Sequence, residues 1–194
     1  MPPETFALTP GAAVGWLWEF LQWFALWTPL VAILEYGTHR WIMHWANRFL
    51  DPQLAHLKVH GTHHLGDNGS EFVDMPLINC LLITSPIFLM LAAWGLVVGP
   101  LSAVVMPSVA LAAWSIVYSY LWTCIHRAIH GTEQNWFQRS GRIFRFFRNH
   151  HLKHHVHAKM NYGTVFPMTD YLFFTWFIRK AVPASPITLR GGGR

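Results

Sequence analysis

Charge is scarce in this sequence. Only 12% of its 194 residues are Asp, Glu, Lys or Arg, about half the share usual in soluble domains. That scarcity excludes a disordered segment, a charged coiled coil and an ordinary water-soluble domain. Cysteine is nearly absent: Cys80 and Cys124 lie in apolar stretches without a partner at metal spacing, so no disulfide framework is expected. There is no Gly-x-Gly-x-x-Gly, no Cys-x-x-Cys and no haem-attachment motif, so the chain shows no dinucleotide or haem site of its own. The first ten residues carry no basic n-region, and no cleaved signal peptide is expected. Repeats and low-complexity tracts are missing apart from Gly191, Gly192 and Gly193.

What is present is apolar and aromatic. Hydrophobic residues make up 53%, with 11 Trp and 14 Phe, and the mean hydropathy is +0.26. Three stretches, 12–35, 76–99 and 101–124, are each 24 residues long, and Glu19 is the one charge inside the first before its terminal Glu35. At about 1.5 Å per residue each reaches roughly 36 Å, enough to cross a ~30 Å hydrocarbon core. Gly99-Pro100 breaks the second from the third and predicts a helical hairpin. All 14 Lys and Arg lie between the first and second stretches or after the third. With three crossings those regions share one side, which the positive-inside rule makes cytoplasmic. The net charge of +5 is therefore read as topology, and no nucleic-acid partner is expected. The fold class expected is all-α: one membrane-embedded domain over 1–194, with three transmembrane helices and a cytoplasmic helical cap formed by 36–75 and 125–180. Residues 136–149 alternate aromatics with Arg139, Arg142, Arg145 and Arg148 and read as an interfacial helix. The apolar patch at 171–178 is too short to span and reads as interfacial or packed on the core.

Histidine is the abundant polar residue: 13 copies, more than all nine carboxylates. Ten fall in four clusters, His39/His44, His60/His63/His64, His126/His130 and His151/His154/His155. Spacings of three and four put imidazoles on one helical face. His39 and His44 are five apart, about 140° round a regular helix, so that pair requires a local distortion or faces two metals. Imidazole suits iron, zinc, copper and nickel. Ten donors exceed one tetrahedral zinc site and match two ions of higher coordination. His56, His150 and His157 flank clusters and read as supporting, substrate-side or exposed. Glu35 lies four residues before His39, within reach of its distal ring nitrogen, where a carboxylate would fix the tautomer of a metal-bound imidazole; a Glu snorkelling to the membrane interface is the equal alternative.

In order, the clusters read His-x4-His, His-x2-His-His, His-x3-His, His-x2-His-His from His39 to His155. This pattern resembles the fatty acid hydroxylase superfamily of integral-membrane enzymes, which includes fatty acid and sphingolipid hydroxylases, sterol desaturases and carotene hydroxylases. Asn161-Tyr162-Gly163 and the Pro167–Phe174 segment with Asp170 look like the stretch that closes many members. Thr169-Asp170 and Phe174-Thr175-Trp176 stand where the family often has Trp-Asp and Phe-Gly-Thr. The resemblance implies two iron ions held by the ten box histidines, zinc being able to occupy the same sites in purified protein. It also implies dioxygen as co-substrate and oxidation of an unactivated C–H bond of a membrane lipid. Glu35, His56, His150, His157, Asn161 and Asp170 would support the ligands or face the substrate. Hydroxylation is the expected outcome; desaturation, or hydroxylation of a carotenoid, is the alternative on the same scaffold. The 15 residues between His44 and His60 favour an acyl or sterol-type lipid over a carotenoid. Electrons would come from an external ferredoxin, reductase or b-type cytochrome. The compact chain points to a bacterial inner membrane.

Two other classes use membrane histidines. A metal transporter would need polar ligands along a midplane path, and beyond Glu19 the three stretches offer almost none. A b-type cytochrome would bind haem from inside its helices, whereas these clusters sit at helix ends and in multiples.

Overall fold

A computed structural model describes residues 10–45, 74–97, 99–100 and 102–177. All regular structure among the described residues is helical. Helix α1 (Pro10–Gly37) runs directly into a π-helical turn (Thr38–Trp45). Helices α2 (Leu77–Val97) and α3 (Ser102–His130) follow, then a 3₁₀ turn (Trp136–Ser140), α4 (Arg142–Val156) and the short α5 (Met168–Leu172). Three helical stretches, Gly11–His44, Leu77–Val97 and Ser102–His130, are long and apolar enough to cross a membrane. They match the three expected spans with one correction. The first and third run on past residues 35 and 124, so His39, His44, His126 and His130 lie on continuations of those helices rather than on separate cap segments. The chain divides into two compact units, one formed by Met1–Val31 and Pro76–Tyr118, the other by Ala32–Met75 and Ser119–Arg194.

In the first unit, apolar side chains face outward along most of the helices; Leu89, Leu96 and Val97 are all at least 70% exposed. Polar groups turn inward and pair. Thr84 Oγ1 and Ser115 Oγ, both buried, lie 3.3 Å apart between α2 and α3. The Trp114 indole donates to the carbonyl of Phe24 at 2.6 Å and stacks on its ring at 4.3 Å, and Trp27 donates to the carbonyl of Pro107 at 2.8 Å. Each long helix contains one proline, Pro29, Pro86 and Pro107, which removes an N–H and orphans the carbonyl four residues back. In α2 that carbonyl is Leu82, and the Ser85 hydroxyl donates to it at 2.8 Å. Such local rescue is what hydrocarbon surroundings require. Glu19 is exposed on α1, and nothing in the structure explains it.

In the second unit, Ser119 Oγ donates to the carbonyl of Met75, and the Met75 N–H donates to Thr123 Oγ1. Arg127 forks both oxygens of Asp74 at 2.6 Å each. Gly131, at φ 68°, ends α3 in the left-handed conformation that terminates many helices. Asn135 then accepts from the Phe137 N–H and donates to the carbonyl of Cys124, tying the 3₁₀ turn to α3. The aromatics of 136–149 divide between two surroundings. Phe137 is buried, edge-on to Phe144 and Phe147, while Trp136, Ile143 and Phe146 stay exposed beside the exposed Arg142 and Arg145. The 171–177 stretch divides likewise: Thr175 is buried, and Tyr171 and Phe174 are exposed.

Candidate metal centre

Seven box histidines lie among the described residues, all in the second unit, and they gather into two groups. His126, His130, His151 and His155 form one and His39, His44 and His154 the other, with the ring nitrogens of each group within 4.8 Å of one another. The groups adjoin across α4, where the rings of His151 and His154 are 5.9 Å apart. His60, His63, His64 and the flanking His56 lie outside the described residues.

Local backbone geometry produces this division. His39 and His44 would point apart on an α-helix, but their segment is π-helical, with hydrogen bonds closing over five residues. Their rings therefore stack, with centroids 5.1 Å apart and planes at 25°. The required distortion is present, and both histidines serve the same group. On α4 the His151-x-x-His-His spacing does not send all three rings to one point, as the sequence reading had it. Consecutive residues diverge by about 100° on an α-helix, so His155 joins His151 one turn below while His154 turns to the other group.

The contacts within each group are not those of a hydrogen-bonded core. Nε2 of His151 lies 3.0 Å from Nε2 of His126, 3.1 Å from that of His130 and 3.0 Å from that of His155. A neutral ring nitrogen offers one hydrogen or one lone pair, so it cannot bond three neighbours at once. Nitrogens about 2.1 Å from a shared ion stand about 3.0 Å apart along an octahedral edge. The donor set thus fits an ion of higher coordination. Burial, then the neighbouring His126, His155, His130 and His154, push the His151 imidazole well below its ordinary pKa. The ring is accordingly in the neutral form that a metal requires. Its other nitrogen, Nδ1, is buried without a hydrogen-bond partner among the described residues.

In the second group the tautomers are legible. Nδ1 of His39 lies 2.5 Å from the carbonyl oxygen of Tyr162, and Nδ1 of His154 lies 2.6 Å from that of Met160. A carbonyl only accepts, so each Nδ1 bears the hydrogen and each Nε2 keeps its lone pair. The Nε2 atoms of His44 and His154 face each other at 3.1 Å.

Both carbonyls belong to the loop after α4, and two buried carboxyl groups hold that loop. Asp170, fully buried, accepts from the backbone N–H groups of Tyr162 and Gly163 at 2.8 Å each and from the Thr175 hydroxyl at 2.7 Å. Glu35 accepts from the N–H groups of Thr164, Val165 and Phe166 at 2.7–2.9 Å. Its expected bond to the distal nitrogen of His39 is therefore corrected: both Glu35 oxygens go to the loop, and the Tyr162 carbonyl takes that nitrogen. Asn161, at φ 57°, donates to the carbonyl of His150 and accepts from the Phe177 N–H. His150 is buried, its Nε2 3.0 Å from Asp170. His157 is exposed; its ring lies against Phe177 and its N–H closes α4 on the carbonyl of Lys153. Sequence reasoning missed the carbonyls of Met160 and Tyr162. A backbone acceptor leaves no residue-type signal, although Gly163 beside one of them was a hint.

No curated protein and no solved structure matches the chain. The model of the fatty acid hydroxylase family matches residues 20–175, from the first long helix through the loop that holds His39 and His154. With that match over most of its length, and with the seven described box histidines gathered into adjoining clusters, the chain belongs to the fatty acid hydroxylase family.

Proposed function

We propose that the chain is a dioxygen-dependent lipid hydroxylase that works with two iron ions. The observation that carries this reading is the pair of adjoining all-imidazole groups, a donor set suited to iron, in a chain whose family is one of oxidoreductases. When bound, the iron pair supplies dioxygen activation and oxidation of an unactivated C–H bond, which becomes an alcohol. His126, His130, His151 and His155 hold one ion and His39, His44 and His154 the other; His60, His63 and His64 complete the set. The loop carbonyls keep the Nε2 lone pairs of His39 and His154 directed inward. Trp122, whose ring lies 4.1 Å from that of His126, shields the first group. Phe144 to Phe147 and Tyr171 to Phe177 keep water from the oxidised carbon.

The lipid is fatty-acyl, sphingolipid or sterol-like and reaches the ions from the bilayer. The histidines face the cytoplasm of a bacterium, and an acidic external electron donor docks on the basic face that includes Arg142 and Arg145. The test is mass analysis of lipids extracted from cells making the chain or its His154→Ala variant. A product one oxygen heavier, absent from the variant, supports hydroxylation. A product two hydrogens lighter replaces it with desaturation on the same centre, and identical lipid profiles overturn the enzyme reading.

A further inference from the structure

We propose that Asp170, seconded by Glu35, is a positioning residue that serves one ion of the pair: it fixes the imidazoles of the His39/His44/His154 group through the backbone of the intervening loop. This rests on the reading that the histidines hold two metal ions. The Gly163 N–H and the Tyr162 carbonyl are the two ends of one planar peptide unit. Asp170 Oδ2 accepts from that N–H at 2.8 Å, and His39 donates to that carbonyl at 2.5 Å. The carboxyl group thereby sets the plane of the unit, and a hydrogen bond at one end strengthens the acceptor at the other. The second unit is tied to the same residue by one more step. The Met160 carbonyl that receives His154 shares its peptide with the Asn161 N–H, which donates to the carbonyl of Thr175 at 2.9 Å. The Thr175 hydroxyl donates to the Asp170 carboxyl group at 2.7 Å, and its N–H donates to the Asp170 backbone carbonyl at 2.8 Å. Glu35 takes the next three amides, 164 to 166, and so anchors the loop to α1, one turn before His39 leaves that helix.

Both imidazoles reached by these relays belong to the three-histidine group. His151, on which the other group centres, has no hydrogen-bond partner at Nδ1 among the described residues, and no relay of this kind reaches it there. Asparagine at 170 keeps the shape but offers one acceptor oxygen where two are used.

The experiment is titration of the metal-free full-length chain in detergent with Co(II), reading ligand-field absorption and bound metal per chain, with far-UV circular dichroism as the fold control. The unsubstituted chain should bind two ions. Asp170→Asn should weaken one of them about 10–100-fold and leave the other as tight as before. Combined with His155→Ala, the substitution should weaken both ions; combined with His44→Ala, it should deepen the loss at the same ion and spare the other. Glu35→Gln should weaken the same ion and Glu35→Asp less so. Two ions bound unchanged by Asp170→Asn, or two ions weakened equally in a chain with unaltered dichroism, would overturn the proposal while leaving the metal reading intact. Failure of the unsubstituted chain to bind Co(II) would overturn both. If Asp170→Asn does not fold, Thr175→Val removes one link of the His154 relay and must weaken that one ion; an unchanged titration then counts against the proposal in the same way.

Discussion

His39 donates from Nδ1 to the carbonyl oxygen of Tyr162, 123 positions later in the chain, at 2.5 Å. This bond joins the π-helical extension of the first long helix to the loop after α4. It fixes a tautomer and a ring direction with a backbone atom, so its strength depends on whatever holds that backbone.

Gly163 is the weakest point of the arrangement. A Cβ there would overlap the carbonyl of Phe166 and stand 2.8 Å from Cα of Pro167, backbone atoms that cannot swing aside. Gly163→Ala should destabilise the chain by about 1–3 kcal/mol, a fall in Tm of about 2–4 °C per kcal/mol at this size. The ion held by His39 and His154 should weaken more than its neighbour. Thermal melts and metal titration check both; an unchanged Tm contradicts the steric reading.

Acid should destabilise the metal-free chain through His151. Its folded pKa lies well below the ordinary value because the ring is buried and faces other imidazoles, whereas in the unfolded chain it titrates near ~6.5. Above that pH both states are neutral and stability is flat. Below it the unfolded chain takes up a proton that the fold refuses, so stability falls until the folded pKa is passed. The metal-free Tm should therefore drop between about pH 7 and pH 5, and His151→Leu should shrink the drop. A Tm constant over that range would count against it.

Ion removal should cost stability, because ions bind the assembled histidine groups of the fold more tightly than the unfolded chain. Zn(II) added to metal-free protein at 100 times its Kd should stabilise each occupied site by about 2.7 kcal/mol. The rise in Tm should be smaller for His44→Ala and for His155→Ala, each lacking one group, and calorimetry at fixed Zn(II) reads it directly.

Ser85 tests the long helices separately from the histidines. Its hydroxyl satisfies the Leu82 carbonyl that Pro86 leaves without a backbone donor. Ser85→Ala should lower stability by about 1 kcal/mol and leave metal stoichiometry at the unsubstituted value. A loss of bound metal would show that α2 influences the centre.

The three long helices were readable because apolar runs of that length have few other uses, and the histidine boxes because imidazole is chemically distinctive. Helix ends were less readable. His126-Arg-Ala-Ile-His130 looks like the start of a polar region, yet its backbone simply continues α3 for the sake of helical hydrogen bonds. Glu35 was singled out as a support, but its partners are main-chain amides 129 to 131 positions away, and amides are identical in every residue but proline.

Residue types and their spacing were sufficient to establish a helical membrane-type chain, a histidine set able to hold metal and the fatty acid hydroxylase likeness, since these follow from hydropathy, length and side-chain identity. How the histidines are shared out lay beyond them. The π-helical turn that unites His39 with His44, the parting of His154 from His155 and the carboxyl-held loop behind Tyr162 all depend on backbone directions. Those directions are set where distant segments pack together, because the aim of His39 and of His154 is settled by the backbone carbonyl that takes its Nδ1 hydrogen.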